Sequence, residues 1–253
     1  MNKNELGVCI KRASGGTFEI GAALEISTEE EIFEFLDFQS YFDRTGLSFP
    51  KTTSSILSVF ENEKLLRKID NGYAITNLGA ILFAKDLTQF PHLVRKAVRI
   101  ITYQHNDRLD TVREYEEKGG YARSFDAIFD YVHSQIPTKE TYSKSRRQSG
   151  MVYPEQVIRE MVANALMHQD FDLRGTSPMV EIFANRIEIT NPGKPLIDTL
   201  RFIDHPPQSR NEQLASFLRR LDLCEERGSG VDRQGNHCYR AGAATSSRVY
   251  SHR

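Results

Sequence analysis

Residues 153–193 read YPEQVIREMVANALMHQDFDLRGTSPMVEIFANRIEITNPG, and the fold turns on this stretch. Its first part has the period of a helix. Val157, Ile158, Met161, Val162, Ala165 and Leu166 recur at i, i+1, i+4, i+5, i+8 and i+9, which gathers them on one face that must be buried. Pro154 stands where a first helical turn tolerates proline, and no breaker follows before His168. The second part has the period of strands. Residues 179–183 and 187–190 alternate, with Ala184-Asn185-Arg186 between them as a hairpin connection. Helix and hairpin in direct succession predict an α+β class.

The polar residues of the same helix are also patterned. Glu160, Asn164 and His168 recur every four residues, so each is rotated only about 40° from the last, and the three line one edge bordering the apolar face. A carboxylate beside apolar surface keeps a useful basicity, so Glu160 is the candidate general base. An amide oxygen is a hard ligand, suited to a magnesium ion that retains most of its waters, so Asn164 is the candidate metal ligand. A half-exposed polar edge without function fits the same spacing.

Two glycine turns flank this pattern at a distance. Asn191-Pro192-Gly193 has Pro and Gly in type II order, a turn that lets backbone approach a ligand while Asn191 reaches a base edge. Ser209 with Glu212 reads as a capping box for a helix carrying Leu214, Phe217, Leu218 and Leu221. After it, Gly228-Ser229-Gly230 offers backbone N–H groups to phosphates, with Arg227 adding charge for the same anion. Each tripeptide alone is also an ordinary turn or linker. Taken together, residues 153–231 are expected to form a nucleotide-binding site.

Bulk properties narrow the alternatives. Lys plus Arg number 33 against 34 Asp plus Glu, so no global field draws the chain onto nucleic acid or an anionic membrane, and such a partner needs a local patch. Cys9, Cys224 and Cys238 are odd in number and far apart, which suits neither a disulfide framework nor a zinc site and suggests a reducing cytoplasm. No run of 18 apolar residues occurs, so no membrane partner is expected. The phosphate loop Gly-x-x-x-x-Gly-Lys-Ser/Thr is missing, which argues against a helicase of that class.

Upstream, residues 1–27 read as an irregular arm. Thr28 with Glu31 is a capping box, and Ile32, Phe33, Leu36 and Phe38 supply one helical face. Thr52 or Thr53 caps a second helix through Ile56, Leu57, Val59, Phe60 and Leu65. Asp70-Asn71-Gly72 between Ile69 and Tyr73 is a hairpin signal. Helix then hairpin suggests a winged-helix-like unit with Arg67 and Lys68 near the wing as candidate DNA contacts, although a small structural subdomain is the better fit, because basic pairs are common on any surface. Residues 78–87 read as a helix and 98–103 as a strand. Phe125, Ile128, Phe129 and Val132 have helical spacing for core packing. Pro137 and the polar run 138–150 read as a linker at a domain boundary.

The order Glu160-x-x-x-Asn164-Ala165-x-x-His168, hairpin, Asn191-Pro192-Gly193, Arg227-Gly228-Ser229-Gly230 is more specific than its parts. It resembles the ATP-binding fold shared by DNA gyrase, heat-shock chaperones, histidine kinases and MutL proteins. More closely, YPEQVIREMVANALMHQDF, NRIEITNPG and SRNEQLASFLRRLDLCEERGSGVD look like the divergent version in RecG-related, AlbA/Schlafen-associated transcriptional regulators, with YAITNLGAILFAKDL and KGGYARSFDAIFDYV extending the likeness upstream. The resemblance implies a Bergerat-type α/β sandwich over 151–233, with helices on one face of a mixed sheet, preceded by a helical, winged-helix-like region over 28–137. It places Glu160 as the water-activating acid and Asn164 as the magnesium ligand, with His168 on the same edge. Asn191 stands where relatives have an adenine-contacting Asp, Gly193 in the first glycine box, and Gly228, Ser229 and Gly230 in the second. An amide is a poorer acceptor for the exocyclic amine than a carboxylate, so altered affinity or selectivity is expected.

The resemblance thus implies ATP and Mg2+ as ligands, a Mg-dependent ATPase or a non-hydrolysing switch, DNA and a homodimer as partners, and a cytoplasmic regulator. A nucleic-acid-binding regulator whose ATP fold is a scaffold is the alternative. A third expectation is an inactive fragment. In the family an AlbA domain precedes this region and is expected to be mostly missing here, while residues 234–253 look truncated or out of frame, leaving a sheet with unpaired ladder groups.

Overall fold

A computed structural model describes residues 18–136, 138–143, 146–151, 154–194, 209–224, 239–241 and 246–250. The chain divides into two compact units, one of residues 1–96 with 118–123 and one of residues 97–117 with 124–253. The fold is α+β: among the described residues seven helices accompany three sheets, the largest of them mixed.

In the first unit, β1 (Ala22–Ile26), β2 (Leu66–Ile69) and β3 (Gly72–Thr76) form an antiparallel sheet of order β1-β3-β2. Between β1 and β2 run α1 (Glu29–Phe35), α2 (Phe38–Thr45) and α3 (Thr53–Asn62), and α4 (Asn77–Phe83) follows β3. Thr28 caps α1 by accepting from the Glu31 amide at 3.4 Å, as the capping box implies. The apolar face does not continue to Phe38 within one helix. Leu36 turns extended and bridges to Ala84, and the Asp37 carboxylate accepts from Ser40 N at 3.1 Å, starting a new helix. Thr52 and Thr76 cap α3 and α4 in the same manner. The core is aromatic, with Phe60 in ring contact with Phe38 at 4.3 Å, Tyr41 at 5.1 Å and Phe83 at 5.9 Å.

The hairpin expected at 70–72 forms, with its turn one residue early. Ile69 pairs with Gly72, so Asp70 and Asn71 are the turn residues. Gly72 has φ +132°, and a Cβ there would lie 2.1 Å from the Ile26 carbonyl oxygen of β1. Glycine is required because β1 pairs tightly alongside.

In the second unit, β4 (Val98–Tyr103), β5 (Thr111–Glu117), β8 (Met179–Ile182), β9 (Arg186–Thr190), β10 (Tyr239–Ala241) and β11 (Ser246–Tyr250) make a sheet of order β10-β11-β9-β8-β4-β5. β4 and β8 run parallel; every other pair is antiparallel. The remaining elements are α5 (Tyr121–Gln135), of which residues from 124 belong to this unit, β6 (Thr138–Ser143), β7 (Arg146–Met151), α6 (Glu155–Met167) and α7 (Glu212–Arg220). α6 packs on β9 and on α7.

Two stretches differ from the sequence reading. The run 138–150, expected as a linker, contains the antiparallel pair β6–β7, for which Thr138, Thr141 and Tyr142 carry strand propensity. The tail beyond 233, expected to leave the sheet unpaired, supplies β10 and β11. β11 pairs with β9 from Ser246↔Thr190 to Tyr250↔Arg186. A ladder is built from main-chain N–H and C=O groups, so a segment poor in aliphatic residues can still complete it.

One face of β8 and β9 carries Val180, Ile182, Ile187 and Ile189, all buried. The other face carries Glu181 opposite Glu188, also buried. Arg108 neutralises this pair, donating from Nε and Nη2 to both oxygens of Glu181 at 2.6 and 2.8 Å and from Nη2 to Glu188 at 3.1 Å. Arg186 adds a 2.6 Å bond to Glu188 and stacks on Phe183, itself stacked on Tyr103.

Candidate functional site

The helix expected after Pro154 is α6. Pro154 is its N-cap, one position before the expected first turn, because its ψ of 135° is extended while its φ of −61° suits the entry. Val157, Ile158, Val162, Ala165 and Leu166 are buried as the periodicity requires; Met161 is half-buried. Glu160, Asn164 and His168 are each half-buried, on an edge bordering the core. Asn164 Nδ2 donates to Glu160 Oε1 at 3.3 Å, which turns the amide oxygen of Asn164 away from the carboxylate. His168 is the C-cap, its N–H bonded to the Asn164 carbonyl at 3.0 Å. Burial, and then the positive charge of Arg210, hold its imidazole below the ordinary pKa.

The first glycine turn lies at the C-terminal end of this helix. Asp170, two residues after His168, donates its N–H to the Pro192 carbonyl at 2.6 Å. Gly193 has φ +121°, and a Cβ there would meet Asp170 Cβ at 2.7 Å and Arg210 Nη1 at 2.8 Å. Asn191 is half-buried at the mouth of that turn. Arg227, Gly228, Ser229 and Gly230 lie outside the described residues.

A cleft of about 360 Å³ opens along the N-terminal half of α6, lined by Phe129, Arg159, Glu160, Asp222, Leu223 and Cys224 among others. Small-molecule sites occupy roughly 300–1,000 Å³. Burial and the charge of Glu160 push the Cys224 thiol up to about 11, so it is no nucleophile at neutral pH. Cys224 precedes Arg227 by three residues in sequence. Glu160 thus borders the cleft; Asn164, His168, Asn191 and Gly193 are not among its walls.

Magnesium fits this donor set in one manner only. Among the described residues no three His, Cys, Asp or Glu side chains gather as a metal site. Mg2+ needs no such cage when it keeps its waters and is shared with phosphate oxygens, and the single hard oxygen of Asn164 suits that role.

Sequence reasoning missed Asp170, Arg210 and Asn211. Asn211, and not Ser209, is the N-cap of α7, and its side chain makes no cap bond. Nδ2 instead donates to the carbonyls of Met167 and Gln169, each at 2.8 Å, clasping the end of α6. Ser209 Oγ accepts from Asn211 N at 3.3 Å. The signal was an Asn at a cap position; its partners are more than forty residues away.

Residues 175–247 match the family described as "Putative ATP-dependent DNA helicase recG C-terminal". That match supports an ATPase-type domain of the gyrase and chaperone kind. It reaches the Gly193 turn and the Arg227–Gly230 segment but begins after α6. No curated protein matches the chain. The crystal structure of the DIP2311 protein from Corynebacterium diphtheriae is similar in fold, with a TM-score of 0.65 at 15% identity over 95% of this chain and 48% of that one. The chain therefore spans about half the length of that protein. Among the described residues no helix is long and apolar enough to cross a membrane.

Proposed function

We propose that this protein is an ATP-binding, slowly hydrolysing switch module of a DNA-associated transcriptional regulator. The observation that carries the reading is the Glu160–Asn164 pair on the edge of α6, with the Gly193 turn held at the far end of the same helix. Asn164 would present its amide oxygen to a magnesium ion shared with the phosphates, and Glu160 would hold the attacking water and take its proton. Bound magnesium supplies charge neutralisation at the phosphate oxygens. Asn191 would meet the base, and Arg227, Gly228, Ser229 and Gly230 the phosphates. The family match over 175–247 supports nucleotide binding. Equilibrium binding of labelled ATP with magnesium tests the reading. Saturable binding that is lost in Asn164→Ala is expected, and its absence in the native chain would overturn it.

A nucleic-acid-binding role with the ATP fold as scaffold is favoured by one observation. Arg67 and Lys68 are both exposed on β2, the strand that follows three helices and opens the β2–β3 hairpin. Under this reading DNA binding falls steeply with salt, is lost in the Arg67→Ser, Lys68→Ser double variant, and ignores nucleotide.

A further inference from the structure

Beside the 191–193 turn the residue best placed to act is one that no motif singled out. Arg210 stands just before α7 with its side chain 19% exposed. Nη2 donates to the Lys194 carbonyl at 3.0 Å, directly after the turn. Nη1 lies 3.6 Å from Asp170 Oδ2 at the end of α6. The same nitrogen lies 2.8 Å from where a Cβ of Gly193 would stand, so the guanidinium occupies the space that a side chain at 193 would need. From the other side the Asp170 N–H holds the Pro192 carbonyl. The turn is thus gripped at 192 by main chain and at 194 by Arg210, with Asp170 common to both. Asn211, the next residue, fixes this grip to α6 through Met167 and Gln169.

Resting on the nucleotide reading above, we propose that Arg210 is a positioning residue that sets the 191–193 turn and thereby the base selectivity of the site. Asn191 meets a base only while the turn keeps its place, and small displacements of a positioned group are costly. A planar fork can serve Asp170 and Lys194 together; a lysine cannot replace that geometry, although it keeps the charge. Charge alone therefore does not hold the turn.

The test measures, by calorimetry with magnesium, the affinities of ATP, GTP and inorganic triphosphate for the native chain, Arg210→Lys and Arg210→Ala. The native chain should prefer ATP. Both variants should lose that preference, with ATP binding weakened roughly tenfold and triphosphate binding unchanged. A native chain that binds triphosphate and both nucleotides without preference overturns the selectivity role, and so do variants that keep the preference. Equal loss of triphosphate and ATP also overturns it, because Arg210 would then be an anion contact. A native chain that binds none of the three probes refutes the nucleotide reading itself, and the selectivity role with it. Asp170→Asn, which removes the carboxylate partner and keeps the shape, guards against a misfolded Arg210→Ala. It should lose the preference too.

Discussion

The Asn164 side-chain amide donates to Glu160 across one turn of α6. This bond orients both groups, fixing the carboxylate against the amide nitrogen and turning the amide oxygen away from it. An i, i+4 pair of this kind is worth only a few tenths of a kcal/mol to the helix, so its interest lies in orientation more than stability.

If Glu160 is the base, Glu160→Gln should leave affinity for magnesium and ATP close to native and lower turnover by about 10²- to 10⁴-fold. Single-turnover assays with labelled ATP would measure both. A variant with native turnover removes Glu160 from the chemistry.

His168 makes stability depend on pH with a definite sign. Its pKa in the folded state lies below the ordinary 6.5, so the unfolded chain binds its proton first on acidification. The stability that the neutral ring contributes is complete above 6.5 and is lost as pH falls through the lower folded value. Once matched at neutrality, thermal melts of the native chain and His168→Gln across about pH 5 to 8 should diverge at the acid end, the native chain losing stability that the variant keeps. Parallel curves would show that another group carries the acid sensitivity.

Asn211→Ala removes two donated bonds from a buried amide and leaves the carbonyls of Met167 and Gln169 short of a donor. A loss of about 1–3 kcal/mol is expected. The melting temperature should fall by several degrees, about 2–4 °C per kcal/mol for a protein of this size. Asn211→Asp, which cannot donate, should be no better.

Arg108→Ala exposes the like charges of Glu181 and Glu188 to each other, with Arg186 still on Glu188 and the Tyr103 hydroxyl still on Glu181. Both carboxylates are nearly inaccessible, but Arg108 is 56% exposed, so the loss should fall below the 3–5 kcal/mol of a fully buried pair, near about 1–3 kcal/mol. Adding Glu181→Gln should recover part of it. Urea unfolding of the three chains would decide.

Much of this was legible in the amino-acid order because it depends on near neighbours. The burial of Val157, Ile158 and Val162, the shared edge of Glu160, Asn164 and His168, the caps at Thr28 and Thr52 and the 179–190 hairpin all follow from periods of 3.6 and 2 or from a side chain reaching three residues along. What escaped depends on partners distant in sequence. Leu36 breaks its helix to bridge Ala84, Gly72 must be glycine because β1 lies against it, and Arg108 finds Glu181 seventy-three residues away. The sheet accepts β11 on β9 through main-chain groups that every residue carries, so no side-chain pattern announces it. Arg210 and Asn211 meet the end of α6 and the Gly193 turn only once those elements are packed. Local order determined the helix edge and the residues that line it; tertiary packing decided what stands opposite, because contacts between distant segments exist only after the chain has closed on itself.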